Sequence, residues 1–181
     1  MLNFFDQEND LSLEGKYDDF GDNPGPTSNE RCEELAKVIK ELDADVLALQ
    51  EVESQKALEW FNDKYLNGMG YDYVVSEEVG YYRGIEQSFL SRFPIKDVRT
   101  WKKTDLIKLE RVGGGWTDIP SDVKEIAFQR SPLCVTITTP QGYELTVFSV
   151  HHKSGNNAWH RELEALQIME YVKEMTVTDP E

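Results

Sequence analysis

Hydrophobic positions follow two spacings along this chain, and together they predict helices separated by short strands. Helical periodicity from about Ser28 to Leu42, and again from Ser54 to about Leu66, predicts two helices with one buried face each. Between them, the apolar run Val46 to Leu49 predicts a buried strand that ends abruptly in polar residues. Thr27 and Glu30 have the spacing of a capping box, which predicts that Thr27 caps the first helix.

The rest of the chain predicts further strands and one last helix. We predict strands at residues 71–75, 85–91 and 95–101, and two longer strands within residues 125–152 joined at Pro140-Gln141-Gly142. The last helix, from about Asn157 to Met175, has a predicted inward face of Trp159, Leu163, Leu166, Met169, Val172 and Met175. Residues 6–26 are acidic without apolar periodicity, which predicts a solvated loop. This order of elements indicates an α/β layered domain.

Composition limits the function more than the fold. The chain has 181 residues, which fits one domain, and 39% of them are hydrophobic, enough to form a core. A net charge of −15 disfavours sequence-blind attraction to a nucleic-acid backbone, which depends on Lys and Arg. A nuclease that binds its substrate through a metal ion and local cations is still compatible with that charge.

Cysteine content and hydropathy place fewer limits on location. Cys32 and Cys134 have no metal or redox spacing, so we predict two buried thiols. The sequence contains no run of 18 apolar residues, so it predicts no membrane-spanning helix. Secretion stays open, because residues 1–5 have the pattern of a strand that begins before the sequence does. No oligomeric state is predicted.

Two polar positions next to predicted strands are candidates for phosphate or metal chemistry. Glu51 follows the apolar run at a strand's carboxyl end, where open α/β sheets place ligands, and one carboxylate suits Mg²⁺. Alternatively, Glu51 caps the next helix or is solvated. Arg83 stands at the start of a predicted strand and offers a planar fork for phosphate, although it can equally be a surface residue.

A denser set of donors follows the strand that ends near Val150. His151, His152, Lys153 and Ser154 form a concentrated donor set for an anionic oxygen. Strand alternation points the two histidines to opposite faces, so one of them is expected at any given site. The alternative is one histidine bonded in the core and the other in solvent. Zinc held with His160 is disfavoured, because no zinc spacing is present.

These stretches, taken in order, resemble the endonuclease/exonuclease/phosphatase superfamily, the metal-dependent phosphoesterases similar to DNase I. The resemblance covers nearly the whole chain and rests on four segments: Leu2 to Asp6, Arg31 to Val52, Arg83 to Ile95, and His151 to Gly155 with Arg161 and Glu164-Ala165. It implies a DNase I-like sandwich of helix, sheet, sheet and helix. We expect residues 1–181 to be one such domain, truncated at both ends, with mostly the first sheet and its helices present. One apolar sheet face would then be uncovered.

The resemblance also implies the chemistry. Glu51 is expected to hold Mg²⁺ or Mn²⁺, and His151 is expected to be catalytic by donating to a phosphate oxygen. Arg83, Lys153 and Ser154 are expected to be supporting phosphate donors. The implied activity is hydrolysis of a phosphate ester, with a nuclease acting on DNA or RNA as the first choice and inositol phosphates or sphingomyelin as others. We expect these 181 residues alone to be inactive. The alternatives are a non-catalytic binding module or inactive half-domain of the same fold, and a structural α/β domain.

Overall fold

Three helices and six strands account for the regular structure of the residues described by the computed structural model. Those residues are 4, 27–77, 79, 85–102, 104, 106, 119, 121, 123 and 125–178. The helices are α1 (Asn29–Leu42), α2 (Gln55–Tyr65) and α3 (Ala158–Thr178). The strands are β1 (Val46–Val52), β2 (Tyr73–Glu77), β3 (Glu86–Ser91), β4 (Ile95–Thr100), β5 (Leu133–Thr138) and β6 (Glu144–Ser149). The expected loop at residues 6–26 lies outside the described residues.

The six strands form two antiparallel sheets that pack face to face. Sheet A has the order β1-β3-β2, and sheet B has the order β4-β5-β6. Phe89 of sheet A is fully buried in one cluster with Leu133, Val135 and Ile137 of sheet B. Because strand side chains alternate between faces, the neighbouring Leu90 lies on the opposite face of sheet A, in the cluster of α1 and α2.

Helix α3 covers the outer face of sheet B. Leu163 and Tyr171 of α3 share a cluster with Phe148 of β6 and with Trp101, whose ring stacks on Tyr171 at 4.3 Å between centroids. The layers are therefore α1 and α2, sheet A, sheet B, and α3, which agrees with the expected helix, sheet, sheet, helix order. One detail differs from the prediction. Mostly the first sheet was expected, but the described strands divide equally between the two sheets. The apolar face around Phe89 is covered by sheet B for that reason.

Capping side chains set the starts of α1 and α2. The structure corrects the sequence prediction at two points, the cap of α1 and the buried face of α3. Ser54 caps α2 as predicted, and its side chain accepts a hydrogen bond from the Ala57 N–H at 3.1 Å. The cap of α1 is Ser28, not Thr27, because the Ser28 hydroxyl accepts from the Arg31 N–H at 3.3 Å. On α3 the predicted inward Met169 is 54% exposed.

The buried side of α3 includes Tyr171 and the carboxylate of Glu164, neither of which was in the predicted face. Both cysteines are buried free thiols, as predicted. Across the described residues, no helix is both long and apolar enough to cross a membrane.

Candidate active site

Glu51 lies in a β-bulge at the end of β1. The pairing of β1 with β3 shifts register between Gln50 and Val52, which leaves Glu51 as the extra residue. Its φ of 61° is in the left-handed region that non-glycine residues rarely adopt. A bulge re-aims a side chain, and strained non-glycine conformations concentrate at functional sites. The bulge therefore singles out Glu51, at the sheet end predicted from the sequence.

Glu51 lies close to His151, which follows β6 of the other sheet. Its Oε1 lies 3.6 Å from His151 Nε2, and the two side chains are 16% and 21% exposed. The neighbouring residues hold this pair together, since the Gln50 Nε2 donates to the Val150 carbonyl at 2.6 Å. One hydrogen bond thus joins the ends of β1 and β6 immediately beside the candidate carboxylate and histidine.

The surroundings of His151 favour its neutral form. Burial lowers the pKa of His151, and the Arg130 guanidinium lowers it further, while the Glu51 carboxylate raises it and offsets part of the effect. Its Nδ1 is buried, without a hydrogen-bond partner among the described residues. A neutral imidazole carries one N–H donor and one acceptor nitrogen, so His151 can both donate to and accept from a ligand.

Arg130 is a part of this site that the sequence analysis missed. It is 4% exposed, and its Nη1 donates to the His152 carbonyl at 3.3 Å. A charged residue next to Ser131 and Pro132 reads as a surface position, because arginine is seldom fully buried. Its place three residues before the buried strand β5 was the available signal, since a polar residue next to a strand had already marked Glu51.

The loop after His151 is fixed by α3. The Lys153 N–H donates to Glu164 Oε2 at 2.8 Å, and Arg161 Nη1 donates to the Lys153 carbonyl at 3.2 Å. His152 Nδ1 lies 3.2 Å from the same Glu164 oxygen. The two histidines thus lie near different carboxylates. Both follow the end of β6 at Ser149, so the strand alternation used in the prediction does not apply to them. Lys153 is half-buried and Ser154 is exposed on this loop.

The structure brings together Glu51 and His151 but leaves other predicted residues untested. Arg83 lies outside the described residues. Among the described residues, no three His, Cys, Asp or Glu side chains gather into a group that could hold a metal. Mg²⁺ is usually held by one or two carboxylates, with water and substrate oxygens completing its shell. The partly exposed Glu51 carboxylate fits the role of one such ligand.

Comparison with protein families identifies the one to which this chain is similar. The model of the endonuclease/exonuclease/phosphatase family matches residues 20–174, which include both Glu51 and His151. No curated protein matches the chain. The match agrees with the layered α/β architecture and its antiparallel sheets. The chain therefore belongs to the endonuclease/exonuclease/phosphatase family, whose members hydrolyse phosphate esters and generally use divalent metal ions.

Proposed function

We propose that this chain supplies the metal ligand and the phosphate-binding histidine of a Mg²⁺- or Mn²⁺-dependent phosphodiesterase of nuclease type. The observation that carries the proposal is the pair of Glu51 and His151, which two different sheets bring to 3.6 Å between Oε1 and Nε2. A carboxylate in a strained bulge and a histidine with a lowered pKa occupy the same sheet end. Perturbed groups of this kind concentrate at functional sites.

Each residue of the pair has a separate task. Glu51 would hold the metal, which when bound polarises the phosphoryl oxygen as a Lewis acid. Neutral His151 donates one ring N–H to a phosphate oxygen, and the Gln50 bond to Val150 keeps it beside Glu51. Burial and, secondarily, the adjacent positive charge of Arg130 lower the pKa of His151 and so favour its neutral form. Lys153 and Ser154, on the loop that follows, are proposed as further phosphate donors, together with Arg83.

The choice of a nucleic acid as substrate rests on local charge. The chain has a net charge of −15, so attraction to DNA or RNA at long range is weak. The buried Arg130 nevertheless puts positive charge close to His151, and Lys153 is a second cation in the loop that follows His151. This arrangement favours a substrate that is held at one phosphodiester over one that is held along an extended backbone.

The experiment measures binding and turnover separately. A fluorescent oligodeoxynucleotide and bis-p-nitrophenyl phosphate are each incubated with the chain, in Mg²⁺ and in EDTA. Since Glu51 is the one carboxylate assigned to the metal here, we expect Mg²⁺-dependent binding without measurable turnover, and Glu51→Gln should abolish the binding. Glu59→Gln, an exposed carboxylate of α2 that accepts from Gln55, is the matched control and should bind like the parent.

Two other outcomes are informative. Turnover that disappears in Glu51→Gln would show that the 181 residues suffice for hydrolysis. Mg²⁺-dependent binding that Glu51→Gln leaves intact would refute the assignment of Glu51.

The alternative is a non-catalytic binding module, or inactive half-domain, of the same fold. The observation that favours it is the lack of a three-residue metal-binding group among the described residues. Such a module has no need of a cation, so oligonucleotide binding that persists in EDTA would support it.

A further inference from the structure

A second carboxylate, Glu164 of α3, is buried close to the candidate site without belonging to it. It is 1% exposed, although carboxylates are rarely buried without a compensating set of donors. Its Oε1 accepts from the Gln129 N–H at 3.0 Å, and its Oε2 accepts from the Lys153 N–H at 2.8 Å. His152 Nδ1 is a third contact, 3.2 Å from Oε2.

These contacts join the two segments that surround His151. One segment contains Gln129 and Arg130, whose guanidinium contacts the His152 carbonyl. The other is the loop that begins at His151 and contains Lys153. One carboxylate therefore anchors both the segment that contains Arg130 and the loop that begins at His151.

Arg161, one turn earlier on α3, binds the same loop as a donor, whereas Glu164 binds it as an acceptor. Its Nη1 donates to the carbonyls of Lys153 at 3.2 Å and Gly155 at 2.6 Å. Helix α3 thus holds the Lys153 residue by its N–H through Glu164 and by its carbonyl through Arg161. Because both backbone groups of Lys153 are hydrogen-bonded to α3, the loop that contains it has little freedom to move relative to the helix.

We propose that Glu164 is a positioning residue, which acts through the Lys153 backbone to hold His151 against Glu51. This inference rests on the proposed function for its meaning, because it assigns Glu164 to the geometry of that site. The position requires two acceptor oxygens. Backbone N–H groups occupy both carboxylate oxygens, so the NH₂ group of a glutamine at this position would face a donor and lose one bond.

The test is an NMR comparison without metal, so that its result does not depend on metal binding. The parent chain should show a nuclear Overhauser contact between the His151 ring and the Glu51 side chain. In Glu164→Gln that contact should be lost, and the Lys153 amide should exchange about tenfold faster, as expected for loss of one charge-assisted hydrogen bond. Glu170→Gln, an exposed carboxylate on the same helix, is the control and should match the parent.

A folding control separates positioning from general damage. The Phe89 ring resonances report the core between the sheets and should be unchanged in Glu164→Gln. If that variant does not fold, Arg161→Gln removes the carbonyl side of the same anchor from a part-exposed position and should weaken the same contact.

The inference is overturned if the His151 to Glu51 contact is absent in the parent or survives unchanged in the folded variant. Failure of the metal-binding experiment with Glu51→Gln would instead refute the proposed function and leave this result standing.

Discussion

The left-handed backbone of Glu51 predicts that glycine at this position gives a more stable fold than alanine. A non-glycine residue at a φ of 61° carries strain of about 1–2 kcal/mol, which glycine does not. Glycine raises the entropic cost of folding by about 0.5–1 kcal/mol, because its backbone has more conformational freedom in the unfolded chain. Glu51→Gly should therefore be more stable than Glu51→Ala, by about 1 kcal/mol, since alanine keeps the strain and glycine relieves it.

Urea unfolding of the two variants measures this difference in the free energy of unfolding directly. In thermal unfolding of a chain of this length, about 1 kcal/mol corresponds to a shift of about 2–4 °C in Tm. Ala48→Gly in the same strand is the matched control, because it makes the same exchange at a residue without a positive φ. It should destabilise by about 0.5–1 kcal/mol, the opposite sign. Equal stability of Glu51→Ala and Glu51→Gly would refute the bulge conformation and the strain assigned to it.

Three further predictions test the core and the buried groups. Phe89→Ala should lower the free energy of unfolding by about 3–5 kcal/mol, because Phe89 is fully buried between the sheets; a loss under about 1 kcal/mol would contradict their face-to-face packing. Burial raises the pKa of Glu164, but hydrogen bonds from His152 and from the N–H groups of Lys153 and Gln129 outweigh it and leave the pKa below the ordinary 4.5. The Glu164 contribution is thus fully present above about pH 4.5 and is lost as pH falls through the lower folded value. The difference in the free energy of unfolding between the parent and Glu164→Gln should narrow only in that acid range. If urea titration shows that this difference widens there, the lowered pKa of Glu164 is wrong. Burial raises the pKa of Cys134 to about 11, so its thiol should stay unreactive to a disulfide reagent at pH 8 until urea unfolds the chain, and fast reaction of the native protein would argue against its burial.

Most of the fold was predictable because its signals are local. The helices α1 and α2 follow from apolar spacing and from side chains such as Ser54, and β1 follows from the Val46 to Leu49 run. The position of Glu51 at the end of that run was predictable for the same reason. Equal division of the strands between two sheets was not, since pairing depends on contacts between distant segments.

The parts of the site that the sequence did not reveal depend on burial. Arg130 and Glu164 are charged residues in segments that give no local sign of being inside, and average behaviour predicts both at the surface. Their burial follows from partners far along the chain, such as His152 for Arg130 and Gln129 for Glu164. Likewise, the bulge at Glu51 arises from its pairing with β3, which no local pattern specifies.

The central claim is that Glu51 and His151 form one metal-dependent centre, and paramagnetic broadening by Mn²⁺ tests it most directly. Mn²⁺ is added in small steps to the parent, to Glu51→Gln and to the control Glu59→Gln, while the His151 ring signals are recorded. We predict that these signals broaden in the parent and in Glu59→Gln and stay sharp in Glu51→Gln. Equal broadening in Glu51→Gln, or none in the parent, would contradict the assignment of the metal to Glu51.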